Sequence, residues 1–496
     1  MTTTANRAQL ASIFEQEAQQ LLTEYKIPGV TLGVLTPDGD HFVNLGVTNL
    51  ENPLPVTADT IFQIGSTTKT LTSLTLSVLA AQGKLKLDDT VRTYLPDFKL
   101  KDESVAAQLT IRDVLTHQGG FQGDLFEDTG EGDDAVAKVL DILAESPQVV
   151  PLRGHWSYNN AGFFVAGRVI EVVTGKTYEA AVTELVLQPL GMDHTFFFSN
   201  QIMTYRYATG YNQIDDEMVV QRPWMMMRSA APAGSSCSST INDMTRYAHY
   251  LMSGEMAPPP EPQGKSEEAS DDAEVTQPAE ESPLKALDRS QLWEPVRPIG
   301  VGINAFPGEE GQIGQSWFID RYPDATIISH GGTTLGHQSD FWVSPDRKVG
   351  FIAMTNASNG HAYNRKLSEW VKLKVLGLSK PEQKDVKLSE DELKTFAGDY
   401  LVIGQTYKIG AQVQDGTLVL VVPDTTTGGT ENMPVRFIAP NRAVIAGGDA
   451  DGLGVEFLMG GDEVEFMRFG ARLYPRERQD ASDDTPEAAL PPVDAL

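Results

Sequence analysis

Several kinds of protein are excluded by what this chain lacks. Only one of its 496 residues is cysteine, Cys237, so neither an intramolecular disulfide framework nor a thiolate metal cluster is available. That thiol lies in Gly234-Ser-Ser-Cys-Ser-Ser, with no histidine nearby in sequence, and reads as a small packing residue. The eight histidines show no His-Glu-x-x-His or other ligand spacing, and no glycine-rich phosphate loop follows a strand; no metal and no cofactor is expected. No run approaches eighteen apolar residues, and the first thirty residues lack a basic start followed by an apolar stretch. The expectation is a cytoplasmic protein with no membrane partner. Positive charge is scarce, with 39 Lys and Arg against 68 Asp and Glu and a net charge of −29. This argues against nucleic acid or an anionic surface as partner and for solubility.

What is present is enough for a large core: 41% of residues are hydrophobic and 8% aromatic, and the length allows two to four domains. Residues 5–25 carry Leu10, Ile13, Phe14, Leu21 and Leu22 near helical spacing. Val30–Leu35 and His41–Val47, separated by Pro37-Asp-Gly-Asp, read as a hairpin. From 66 to 250 the patterns are mainly helical, with Thr110 and Asn160 at helix starts. Strand patterns return at 313–319, 325–330, 338–343 and 349–355, before a last helix near 364–376. A sheet built from both ends of a domain, with helices between, is an α+β arrangement. Residues 257–282 are rich in Pro and acid and read as a disordered insertion. Beyond Lys380, short alternating runs separated by Gly, Asp and Asn turns predict a small all-β domain, a barrel.

The chemistry centres on Gly65-Ser66-Thr67-Thr68-Lys69, where an apolar run gives way to the helical stretch 70–85. Lys69 lies one helical turn beyond Ser66, so hydroxyl and amine are neighbours. The helix start favours a developing oxyanion, and Leu71, Leu74, Leu76 and Leu79 would desolvate the amine and make it a base. Ser282-Pro-Leu-Lys285 fits the same four-residue pattern but borders the acidic run, where nothing would bury the lysine. A nucleophilic serine also needs a proton donor for the leaving group and two donors for an oxyanion. Tyr158-Asn159-Asn160 stands at a helix mouth, where a phenol near an ammonium is drawn toward phenolate and an amide can orient substrate. The plainer reading of that stretch is a buried tyrosine followed by an Asn helix cap. His330-Gly331-Gly332-Thr333 ends a strand, and its glycines admit an acyl group against the strand edge. His117-Gln118-Gly119 competes with it but reads as a helix end.

In the order Ser-x-x-Lys, Tyr-x-Asn, His-x-Gly, these residues resemble the serine β-lactamase and penicillin-binding-protein superfamily. More closely, they resemble its class C β-lactamase-related branch of esterases and D-aminopeptidase-like enzymes. Leu85-Lys-Leu-Asp-Asp-Thr-Val, Thr110-Ile-Arg-Asp-Val-Leu-Thr-His-Gln-Gly-Gly, Pro189-Leu-Gly-Met-Asp and Ala233-Gly234 support the likeness. It implies a β-lactamase-like antiparallel sheet flanked by helices, with an all-helical subdomain, over 1–378. It also implies a lipocalin-like barrel over 385–478 that limits which substrates reach the serine. The acidic composition of 479–496 reads as a flexible tail. By matching positions, Ser66 is the acylated nucleophile, Lys69 and Tyr158 move protons, and Asn160 is an orienting amide. His330, Gly332 and Thr333 form the third motif, with the N–H groups of Ser66 and Thr333 as oxyanion hole. His330 stands where many β-lactamases have lysine, which favours esters or small D-amino-acid-type peptides over antibiotics. A β-lactamase proper is the alternative, and a non-catalytic binding or sensory protein is the rival from another class. The partner is a small-molecule ester or peptide, and a homo-oligomer is left open.

Overall fold

Residues 4–214, 217–256, 282–301, 310–380, 384–424 and 428–478 are described by the structure, a computed structural model. The acidic insertion 257–282 falls outside them except for Ser282, and the tail 479–496 falls outside them entirely.

Strands from opposite ends of the first unit pair because both are apolar on both faces. Gly29–Leu35 lies between His41–Gly46 and Val349–Thr355, and every residue of Gly29–Leu35 and Val349–Thr355 is buried. The nine-stranded antiparallel sheet continues through His337–Ser344, Ala325–Ser329, Phe318–Tyr322, Glu310–Ile313 and Arg297–Val301; Gly332–Thr334 folds back onto His337–Ser344. Side-chain alternation divides the core in two. Val30, Leu32, Trp342, Phe351 and Ala353 pack with Phe14 and Leu21 of the helix Thr4–Glu24 and with Tyr363 and Leu367 of the helix Gly360–Lys374. Phe341, Val343, Ile352 and Met354 face the helical region on the other side.

One sequence expectation divides here. The predicted strand 313–319 is two strands, because Gly314 N donates to Trp317 O at 2.8 Å in a tight turn, and Ser316, at φ +63°, donates its N–H to Leu115 O. The helical region also holds two short ribbons, Phe62–Gln63 with Ser238–Ser239 and Tyr211–Ile214 with Glu217–Val220.

The helix Thr68–Ala81 runs through the centre and is buried from Thr68 to Leu79. Its hydroxyls are tolerated because each finds an acceptor. Thr72 Oγ1 donates to Pro232 O at 2.8 Å, Ser73 Oγ to Gln315 O at 3.0 Å, and Ser77 Oγ to Gln315 Oε1 at 2.8 Å. These bonds lock the helix that carries Lys69 to the surrounding loops.

The second unit is an eight-stranded meander in sequential order from Gly398–Leu401 to Arg472–Pro475. Tyr400 bridges Arg476, so first and last strands meet and the sheet is a nearly closed barrel. Its core, with Phe396, Tyr400, Leu420, Phe437 and Phe457, is separate from the two above. No helix among the described residues is long and apolar enough to cross a membrane.

Candidate active site

The turn bearing Ser66 is shaped by contacts that leave no room for side chains. Gly65, at φ +51°, lies where a Cβ would come within 2.7 Å of Thr333 N, and a Cβ on Gly332 would sit 2.0 Å from Ile64 O. On the other side, a Cβ on Gly234, at φ +108°, would fall 2.9 Å from Ser66 N. The serine turn is thus wedged between the edge strand Gly332–Thr334 and the segment that follows Ala233. Thr67 Oγ1 ties it down further, 2.9 Å from Ser339 Oγ and 3.1 Å from His330 O.

Lys69 is fully buried, and its Nζ donates to Ser66 Oγ at 2.9 Å and to Ala233 O at 2.5 Å. Burial, helped by the charge of Arg472 and opposed by Asp124, holds the amine well below its ordinary value. That shift favours the neutral amine, the form with a lone pair for the serine proton. The ring centroid of Tyr158 is 5.1 Å from Nζ, and its hydroxyl lies 3.5 Å from His330 Nε2. The expected drift toward phenolate does not occur. Burial raises the phenol, and the hydrogen bond to Ser66 and the charge of Arg472 recover only part of that rise. The physical reason is that the phenol is itself fully buried, and desolvation penalises the phenolate more than the neighbouring hydrogen bond and cation favour it.

Asn160 does not cap its helix. Asn159 does so, accepting from Gly162 N at 2.7 Å through Oδ1 and donating to Phe121 O. Asn160 is left to donate through Nδ2 to Asp124 Oδ1 at 2.6 Å. His330 packs against Phe318 and Tyr158, and burial, with Lys69 nearby, lowers it to about 3. The third motif consequently carries no positive charge at any working pH. Thr333 Oγ1 donates to Gln338 Oε1 at 2.7 Å, which fixes the edge strand's own turn.

All seven sequence candidates converge here: Ser66, Tyr158, Asn160, His330, Gly332 and Thr333 line one cavity of about 1080 Å³, and Lys69 lies beneath Ser66. His117 stacks under Tyr158 at 4.3 Å and accepts from Asn159 N, so it supports the motif from below. Lys285 is exposed, unlike Lys69. Cys237 is buried and its thiol is pushed up to about 12 by that burial, as befits a packing residue. Two residues escaped the sequence reading. Arg472, from the barrel, lines the cavity and binds Asp124 through Nε at 2.7 Å and Nη2 at 3.2 Å. Neither belongs to a motif, and 348 residues separate them. No group of three or more His, Cys, Asp or Glu side chains suited to a metal ion is found among the described residues.

This sheet, its helical region and the serine–lysine pair define the serine hydrolases of the β-lactamase and penicillin-binding-protein class. More particularly, the family model described as Beta-lactamase matches residues 14–375, and the chain belongs to that family. Among its relatives is penicillin-binding protein 4 of Amycolatopsis lactamdurans, 32% identical over 248 residues that cover 49% of this chain and 65% of that protein. This chain therefore spans less than two thirds of that relative. Two solved structures share the fold across both units. SurE superposes with a TM-score of 0.69 at 18% identity, covering 95% of this chain and 100% of the other. The octameric penicillin-binding protein homologue from Pyrococcus abyssi gives 0.62 at 19% identity, covering 93% and 99%.

Proposed function

We propose that the chain is a serine hydrolase that works through an acyl-enzyme on Ser66 and cleaves esters or small, D-amino-acid-type peptides and amides. The observation that carries this reading is the buried Lys69 Nζ at 2.9 Å from Ser66 Oγ. In the first step neutral Lys69 takes the Ser66 proton as Oγ attacks the substrate carbonyl. The tetrahedral oxygen is held by the N–H groups of Ser66 and Thr333. Tyr158, a neutral phenol, passes a proton to the departing alcohol or amine and is reprotonated from Lys69. Water then attacks the acyl-enzyme, and the same groups run in reverse to release the acid and restore Ser66. Asn160 orients the acyl group.

The third motif supports this substrate class. A neutral His330 supplies no permanent cation for a β-lactam carboxylate, which favours esters and peptides. One relative, from Aspergillus violaceofuscus, is named an unguisins hydrolase, and another, from Psychrobacter immobilis, a β-lactamase. A single preparation assayed on a nitrophenyl ester, a D-amino-acid amide and a chromogenic cephalosporin ranks these classes. Faster turnover of the cephalosporin would reverse the proposed order. Labelling by a fluorophosphonate tests the acyl-enzyme, and an adduct mapped to any peptide other than that of Ser66 refutes it. A homo-oligomer, which light scattering would detect, is proposed by analogy with the octameric neighbour.

A further inference from the structure

The barrel does more than border the cavity. Its hairpin Glu463–Phe469 to Arg472–Pro475 turns through Gly470 and Ala471, at φ +54° and +67°. Positive φ at both central positions suits a two-residue hairpin turn, but it is unfavourable for alanine. The strained turn presents the Ala471 carbonyl to Tyr158, whose N–H donates to it at 2.9 Å. The neighbours of Tyr158 are gripped as well. Leu473 N donates to Ser157 Oγ at 3.1 Å, and Arg468 Nη2 donates to Trp156 O at 3.2 Å. Arg468 is itself held by Glu456. Trp156, Ser157 and Tyr158 are thus each hydrogen-bonded to the barrel. Arg472 lies with its guanidinium carbon 5.1 Å from the Tyr158 ring centroid, and its partner Asp124 shares Oδ1 with the Asn160 amide.

We infer that this barrel turn is a working part of the active site, positioning Tyr158 and, through the Arg472–Asp124 pair, Asn160 for proton transfer at Ser66. This rests on the acyl-transfer reading above. Arg472 and Ala471 are positioning residues, and the barrel's first effect falls on kcat, with restriction of substrate size secondary to it.

The pair also sets the electrostatics of Lys69. The titratable groups around that amine are Tyr158, His117, His330, Asp124 and Arg472. The neutral Cys237, Tyr178 and Tyr247 face its helix at Thr68, Thr72 and Thr70. Only Arg472 and Asp124 carry charge near neutral pH, and they act on Lys69 in opposite senses. Removing one leaves the other unbalanced.

The test uses the full chain with Arg472→Ala, Arg472→Lys, Asp124→Asn and Ser157→Ala, read on a nitrophenyl acetate and by fluorophosphonate labelling of Ser66 across pH. Arg472→Ala should lower kcat on this small ester about 10- to 100-fold with KM within about twofold. Its acid limb should move up by roughly one pH unit, because an unbalanced Asp124 favours the ammonium. In Asp124→Asn the limb should move down by a similar amount, because an unbalanced Arg472 disfavours it. Arg472→Lys keeps the charge but not the fork, so the limb should return while kcat recovers only in part. Ser157→Ala should lower kcat without moving the limb. Urea midpoints establish that each variant folds; if Arg472→Ala does not, the lowered limb of Asp124→Asn against the unmoved limb and reduced kcat of Arg472→Lys decides. A labelled parent whose variants keep kcat and limb on the small ester overturns this inference alone. A parent whose Ser66 takes no label overturns the acyl-enzyme reading and this inference with it.

Discussion

At the scale of the residue, burial decides protonation. It holds Lys69 below its ordinary 10.5 and Tyr158 above its ordinary 10.0, which suits the amine to the role of base and the phenol to that of donor in the proposed mechanism. Lys69→Ala and Tyr158→Phe should each lower kcat by about 10² to 10⁴, the usual share of a positioned acid or base; near-normal steady-state rates in either would show that the proton takes another path. Ser66→Ala should abolish turnover and labelling together. The acid limb of kcat/KM should lie well below 10.5, and a limb at that value would mean that Lys69 stays charged in the free enzyme. Buried histidines leave a second signature. His330 and His337 are both lowered to about 3, each mainly by burial. A group whose folded value is depressed contributes its stability above the unfolded value, about 6.5 for histidine, and loses it as pH falls toward the folded one. Unfolding free energy should therefore drop between about pH 6.5 and 3, by up to about 1.4 kcal/mol per unit for each histidine. His337→Leu should flatten that slope in urea titrations run across pH, and an unchanged slope would place the proton uptake elsewhere.

Elements hold the site through close backbone contacts. Gly65→Ala would drive a Cβ into Thr333 N and force alanine to φ +51°. The expected result is a loss of about 1–3 kcal/mol in stability, with activity falling further than stability because the serine turn and the edge strand separate. Tm and kcat measured on the same sample check this, and a variant with unchanged kcat would show that their contact is dispensable. The helix Ala161–Thr174 is capped through Asn159, which leaves Asn160 free for the cleft. The sequence places both asparagines at the helix mouth. Which one caps depends on a hydrogen bond to Gly162 N, one residue's difference that pattern alone does not resolve. The same holds at 313–319, where an apolar run hides a turn made by long-range bonding to Leu115.

Across the whole molecule, two units with separate cores meet at a small apolar seam of Val150, Phe466 and Leu473 and at the polar grip on residues 156–158. Phe466→Asp should open that seam, resolve two thermal transitions in calorimetry and lower kcat; a single transition with full activity would mean that docking does not depend on it. The sequence by itself determined the parts that covalent spacing controls. Ser66 and Lys69 share a helical turn, Tyr158 and Asn160 share a loop, and the apolar runs Val30 to Leu35 and Val349 to Thr355 make strands. The single cysteine likewise leaves no intramolecular disulfide available. Only the tertiary structure decided the rest. It brought Arg472 to Asp124 across 348 residues, hid Lys69 from water, and turned the phenol away from phenolate. Desolvation and charge pairing depend on distances between segments remote in the chain, and those distances exist only once the barrel is docked against the cleft.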